Sequence, residues 1–305
     1  MSMNFRRFLC AIMTLLLLSC CSGMKDEKNY PSEYETSPSP TMSELHLPKS
    51  PGDQVAVDTT GLVQIDYSNT SSGYLQAKLL RKPEKRMRLQ ITKDGVGNLA
   101  YDFTKENEYE TFPFELGSGT YLVKVLENRS GKTYTITLTL SLDVKLENEQ
   151  IPFLYPNQTV NYDQHSAAVK KAFALTKDDD TVLKRIATLY HYVVDNVSYD
   201  EKKAKEVEDI YVLPVVDETL ESKKGICFDY AALLTAMLRS QQIPTRLVTG
   251  NTTIEYHAWI EVYIKGKGWI TPDILLQERK WSRMDPTFAS SDIDYKYEYE
   301  DKYYY

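Results

Sequence analysis

Cysteine is scarce in this chain. Of four among 305 residues, Cys10, Cys20 and Cys21 crowd the N-terminus and only Cys227 lies beyond it. A disulfide framework is therefore excluded, and stability has to come from core burial, for which the length allows two modest domains. Positive charge is also in deficit, with 36 Lys and Arg against 43 Asp and Glu, a net charge of −7. That excludes the basic patch on which nucleic-acid binding depends. Apolar runs are short: the longest, Phe8 to Leu18, falls below the ~20 residues that span a bilayer as a helix. Histidine occurs four times, at His46, His165, His191 and His257. One isolated cysteine and one well-placed histidine lack the closely spaced ligand pairs of a zinc site. No metal or cofactor is expected.

What is present at the N-terminus is a targeting segment. Arg6 and Arg7 precede the apolar run, and Leu17-Leu18-Ser19-Cys20 follows it, a pattern that resembles the lipobox of bacterial lipoproteins. Cleavage before Cys20 would make it the lipidated N-terminus. Cys21 fits less well, because Cys20 would then hold the small-residue position, and an ordinary secretory signal is the alternative. Residues 1–19 carry two arginines and no acid, so the mature chain is more acidic still, at 34 basic against 43 acidic residues. Residues 20–52 are rich in Ser, Pro, Thr, Glu and Lys. They read as a disordered tether holding a domain clear of a membrane.

From residue 53 to 147 the apolar period is two. Leu62–Tyr67, Arg86–Ile91, Tyr121–Leu126 and Tyr134–Leu140 alternate, with turn signals at Asn69–Gly73, Asp94-Gly95, Gly117–Gly119 and Asn128–Gly131. That is the signature of an antiparallel β-sandwich. It contains no titratable cluster and reads as a spacer or binding module. Beyond Ile151-Pro152 the spacing becomes helical over 166–175 and 180–197, with Asp178, Asp179 and Asp180 offering N-cap groups, and again from Cys227 to Ser240. Strands are expected at 245–249, 258–264, 269–270 and 280–284, and the Tyr-rich end, 295–305, reads as a last edge strand. Helices followed by strands make residues 148–305 an α+β domain.

Three residues in that domain have the chemistry of a nucleophile, a base and an orienting group. Cys227 opens an apolar helix, where unpaired N–H groups and the dipole stabilise a thiolate and can also hold an oxyanion. Gly225 allows a tight turn before it, and Lys223 and Lys224 add positive potential. His257 opens a strand on the face it shares with Trp259 and Glu261, whereas the other three histidines fall in the tether, before a helix, or on a polar helix face. A buried imidazole needs a partner, for which Glu261 and Asp285 compete. Asp285 stands in Met284-Asp285-Pro286-Thr287, where the alternative is an Asx-turn. Asp273, in Thr271-Pro272-Asp273, is a weaker competitor.

Gly225-Ile226-Cys227-Phe228-Asp229-Tyr230-Ala231 with the helix that follows, His257-Ala258-Trp259-Ile260-Glu261 with Gly268-Trp269, and Met284-Asp285-Pro286-Thr287 together resemble the core of the transglutaminase-like superfamily, which is related in fold to papain-like thiol enzymes. The resemblance covers about residues 161–289. It implies a Cys-bearing helix packed on an antiparallel sheet, with Cys227, His257 and Asp285 at the triad positions. No clear side-chain oxyanion donor precedes Cys227; Tyr199 and Tyr211 are the available guesses. The expectation is a membrane-anchored extracytoplasmic lipoprotein that attacks amide bonds of a protein, peptide or cell-wall peptide through a Cys thioacyl intermediate. Hydrolysis is favoured because nothing selects an amine acceptor. Protein cross-linking, and a non-catalytic lipoprotein binding peptide or glycan in the same groove, are the alternatives.

Overall fold

Alternating apolar residues bury one face of a strand and leave the other wet, and two such faces close on each other. In the computed structural model, which describes residues 35–207, 210–252, 256–271 and 299–305, this yields a run of strands before the first α-helix. They are β1 (Val55–Val57), β2 (Val63–Asp66), β3 (Tyr74–Leu79), β4 (Met87–Lys93), β5 (Gly97–Asp102), β6 (Glu110–Pro113), β7 (Gly119–Ser130) and β8 (Thr133–Val144). Two sheets form, β1-β2-β3-β6 and β5-β4-β7-β8, antiparallel throughout. Val63, Ile65, Leu75, Leu89, Ile91, Val123 and Val125 are buried between them, each contributing about 1.5–3 kcal/mol of burial. Rings cross the interface: Tyr101 meets Phe112 at 5.1 Å and Phe114 meets Tyr121 at 4.9 Å. The β4–β5 and β7–β8 hairpins turn through Gly95 and Gly131, both at positive φ, which glycine adopts without strain.

The helical part holds α1 (Ala167–Thr176), α2 (Val182–Asn196), α3 (Glu201–Glu206), α4 (Val216–Ser222) and α5 (Cys227–Ser240). The α2 stripe of Val182, Ile186, Leu189 and Val193 is buried as its spacing requires. Its N-cap is Thr181, whose hydroxyl accepts the Lys184 N–H at 3.2 Å, not one of the preceding aspartates. Asp180 pairs instead with the Lys184 ammonium at 2.6 Å. Short strands β9 (Ser198–Tyr199) and β10 (Lys224–Gly225) pair in parallel ahead of α5.

From Asp229 to Ser240 every residue of α5 is buried, as expected of a helix enclosed on all sides. It packs on α1, α2 and α4 and against β11 (Thr245–Thr252) and β12 (Tyr256–Ile264). With β13 (Gly268–Ile270) and β14 (Tyr299–Tyr304) these strands make an antiparallel sheet of order β13-β12-β11-β14. Among the described residues the Tyr-rich end therefore supplies an edge strand. The expected strand at 280–284 lies outside the described residues.

Buried Arg239, at the end of α5, fastens this layer. It donates to the main-chain oxygens of Thr245 (2.8 Å), Tyr155 (2.8 Å) and Tyr305 (2.6 Å). Burial lowers its guanidinium to about 10, so it remains charged at neutral pH.

From Glu35 onward, the segment expected to be a disordered tether is fastened to the fold. Ser37 N–H donates to Asp180 O at 2.7 Å, Ser39 Oγ to Thr176 O at 2.6 Å, and Arg185 Nη1 returns a bond to Ser37 O at 2.7 Å. Farther along, Gln242 Nε2 reaches Glu44 O at 2.6 Å and Lys49 N–H reaches the Tyr74 hydroxyl at 3.0 Å. The segment is held through its polar groups, which composition marks as disorder-promoting only when they have no partner. The described residues all fall within one compact unit. At the 147/148 boundary the two parts abut closely: a Cβ on Gly73 would meet Pro152 Cγ at 2.7 Å.

Candidate active site

Cys227 is the first residue of α5 and is partly exposed. The turn that delivers it is built around Asp229, at the third helical position. Ile226 N–H donates to Asp229 Oδ2 at 2.9 Å, and Lys203 Nζ from α3 donates to the same carboxylate at 2.8 Å. Asp229 is only 2% exposed, so its charge has to be matched. A charge-assisted bond from Lys203 meets that need.

Gly225 is required for a different reason from the tight turn expected: a Cβ there would sit 2.6 Å from Asp229 Cβ. Its carbonyl accepts from Asp200 N–H at 2.9 Å, and Lys223 O accepts from Ser198 N–H at 2.9 Å. The β9–β10 ladder thus fixes the chain two residues before the thiol. Lys223 and Lys224 are exposed. The cation that sequence reasoning missed is Lys203, whose only signal was a lysine near a helix start.

His257 lies at the beginning of β12, opposite Gly250 of β11. It is 2% exposed, and burial pushes its imidazole down to about 4. The ring is therefore neutral at pH 7, the state in which it can accept a proton.

Topology brings His257 and Cys227 to one end of the layer. Four residues connect α5 to β11, so the strand doubles back along the helix. Fourteen helical residues rise about 21 Å, and Thr245 to Gly250 spans about 17 Å. The start of α5 and the His257 position thus fall at similar distances from the connection.

Glu261 is not the imidazole's partner. It lies four positions along the strand from His257, about 13 Å, and its carboxylate takes the guanidinium of Arg246, with Nε at 2.7 Å. Arg246 also stacks over Trp269 (4.6 Å) and Tyr304 (4.0 Å). Asp285, its competitor Asp273, and the lipidation candidate Cys20 lie outside the described residues.

Both oxyanion guesses fall beside the helix start. Tyr199 pairs with Gly225 in register, and the Tyr211 ring lies 5.8 Å from that of Phe228. Phe228 also meets Tyr305, at 6.5 Å. Next to this aromatic group opens a cleft of about 1480 Å³, lined by Tyr211, Tyr303 and Tyr305 on one side and by β5 residues on the other. Neither Cys227 nor Phe228 lines the cleft itself, although the Phe228 ring neighbours the cleft residues Tyr211 and Tyr305.

Comparison with known proteins finds one family match. The profile of the transglutaminase-like superfamily matches residues 169–286, a span that contains α5, β12 and all three residues expected in the triad. An uncharacterised Bacillus subtilis protein, YebA, is 30% identical over 123 residues, covering 33% of this chain and 16% of its own. The UPF0252 protein MJ1282 of Methanocaldococcus jannaschii is 37% identical over 73 residues, covering 22% of this chain and 19% of its own. This chain thus spans less than a fifth of either relative. Among solved structures, a candidate cysteine protease from Cytophaga hutchinsonii is 19% identical, covers 70% of this chain and 78% of its own, and has a TM-score of 0.37.

Proposed function

Because residues 169–286 match the profile of the transglutaminase-like superfamily, we propose that the protein is a thiol enzyme acting on amide bonds, with Cys227 as nucleophile, His257 as base and Asp285 orienting the imidazole. The observation that carries this reading is the placement of Cys227 on the first turn of a buried helix that packs on the strand of a buried, neutral histidine.

In the reaction, Cys227 Sγ gives up its proton to His257 and bonds to the substrate carbonyl carbon. Main-chain N–H groups at the start of α5 receive the oxyanion, each donor contributing about 3–4 kcal/mol. The C–N bond then breaks, and the amine leaves with the proton from His257. Water, deprotonated by His257, attacks the thioacyl carbon and returns the thiol and a carboxylic acid. An amine in place of water would give a cross-link. Hydrolysis is the reading adopted, because nothing selects an amine acceptor and water is the abundant one. The protein acts outside the cytoplasm on a protein or peptide and is tethered through lipid on Cys20.

The test is trapping. Purified protein is mixed with a chloromethyl ketone or acyl-type thiol probe, and its intact mass is measured. One adduct per chain, mapped to Cys227 and absent in Cys227→Ala, is expected. No adduct on a fully reduced protein would contradict the scheme.

A further inference from the structure

The β-sandwich was expected to be a spacer or a binding module, and its residues line the cleft described above. Asn98 to Asp102 of β5 line it, as do Arg86 and Arg88 beside that strand. The opposite wall is the extended run Ile210–Val215, which leads into α4. The structure points to a ligand for this cleft: we infer that it binds an extended polypeptide segment bearing an acidic side chain, held between β5 and the 210–215 run. This rests on the amide-bond reading above and supplies its substrate class.

Four observations converge. The cleft, at about 1480 Å³, exceeds the 300–1,000 Å³ usual for a small-molecule pocket and suits a polymer. Among the described residues β5 is an edge strand, paired only with β4. Extended peptides add to such edges, with alternate side chains choosing the sequence. Two of its carbonyls are already used, Ala100 O by Arg88 and Asp102 O by Gln158, so pairing falls on the rest of the edge.

The facing run exposes large apolar side chains: Ile210 at 60%, Tyr211 at 68% and Val215 at 49%. A group of this kind beside a cleft marks a contact surface. Charge supplies the selectivity. Arg86 and Arg88 both pair with the single carboxylate of Asp102, which leaves an excess of one positive charge at that point; elsewhere in the lining Lys105 pairs with Glu108, and Asp163 and Asp217 accept main-chain N–H groups at the start of α1. Guanidinium groups favour a carboxylate, which they can hold in two-point fashion.

Phe228 connects the cleft to the thiol. Its ring contacts Tyr211 and Tyr305, both cleft residues, and the residue before it is Cys227. A peptide lying along β5 would pass within reach of that position.

The test uses the full chain carrying Cys227→Ala, to prevent turnover, and a randomised decapeptide library. Retained peptides are sequenced by mass spectrometry, and the most enriched is resynthesised for affinity measurement. Enrichment of Asp and Glu is expected, with a loss of at least tenfold on adding Arg86→Glu and a similar loss on adding Tyr211→Ala. Both side chains are exposed, so the thermal midpoint should stay put. In the wild-type protein the same peptide should slow iodoacetamide alkylation of Cys227 at least threefold. No enrichment, unchanged affinity in both variants, or no protection of a Cys227 that is reactive in the free protein would each overturn the inference. Peptide binding beside an inert Cys227 would sink the thiol mechanism and leave the cleft; a reactive Cys227 without peptide binding would do the reverse.

Discussion

Asp229 is an unusual neighbour for a nucleophilic thiol. A carboxylate two residues from Cys227 disfavours a thiolate, and here it is buried and serves the helix start by accepting from Ile226 N–H. Lys203 cancels its field. Lys203→Met should therefore slow alkylation of Cys227 at pH 7 by severalfold and move its pH profile upward. It should also cost about 2 kcal/mol, since it strands a buried acceptor. Removing both charges with Lys203→Met and Asp229→Asn should restore most of the reactivity, which a purely structural role would not predict.

Gly225→Ala is expected to lower the thermal midpoint by several degrees, because the added Cβ meets Asp229 at 2.6 Å and overpacking costs about 1–3 kcal/mol. Cys227 and His257 could be read from the sequence because their residue types and positions are rare there. Lys203 could not, because nothing local distinguishes it from Lys202 or Lys205; only the fold brings α3 beside α5.

Among the elements, α5 and the sheet of β11 and β12 were readable from apolar runs with clear ends, Gly225 before the helix and Ile243-Pro244 after it. α3 and α4 were not. At 6 and 7 residues they are too short for periodicity to show, and their stability comes from tertiary contact. β1, β3 and β6 were missed in the same way, being short or buried on both faces, as in the fully buried β6. The N-cap of α2 shows a finer failure: three aspartates precede the helix, but geometry selects Thr181.

β14 is held at the edge by main-chain pairing with β11 and by Arg239, which donates to Tyr305 O. Arg239→Met should cost about 3 kcal/mol, because three hydrogen bonds from one buried guanidinium are lost, although Tyr305 O keeps the Leu247 N–H. It should also expose residues 299–305 to carboxypeptidase, measured as mass loss over time against the wild type.

The molecule as a whole is bound together more tightly than its composition suggests. Residues 35–52 tie the α1–α2 turn to the sandwich through hydrogen bonds. A chain starting at residue 53 is therefore expected to melt several degrees lower than one starting at residue 35, whereas a free tether would make no difference. The low content of large apolar residues hid this, because polar docking leaves no pattern in hydropathy.

Glu115 gives the molecule a pH signature. Burial raises its carboxyl well above the usual range, against the opposing pull of Arg239 and Arg246. Such a group is protonated when folded and ionised when unfolded, so its contribution is present below about pH 4.5 and declines as pH rises above it. Glu115→Gln should raise the thermal midpoint at pH 8 and change it little at pH 4.

The central claim is that Cys227 and His257 act as a pair, and the most direct measurement is the rate of iodoacetamide alkylation at Cys227 against pH, in wild type and in His257→Ala. The account predicts a wild-type thiol that reacts well below its ordinary titration at about 8.5 and a variant whose profile returns toward that value. A Cys227 that stays unreactive under reducing conditions, or whose profile ignores the loss of His257, would make it a packing residue and contradict the account.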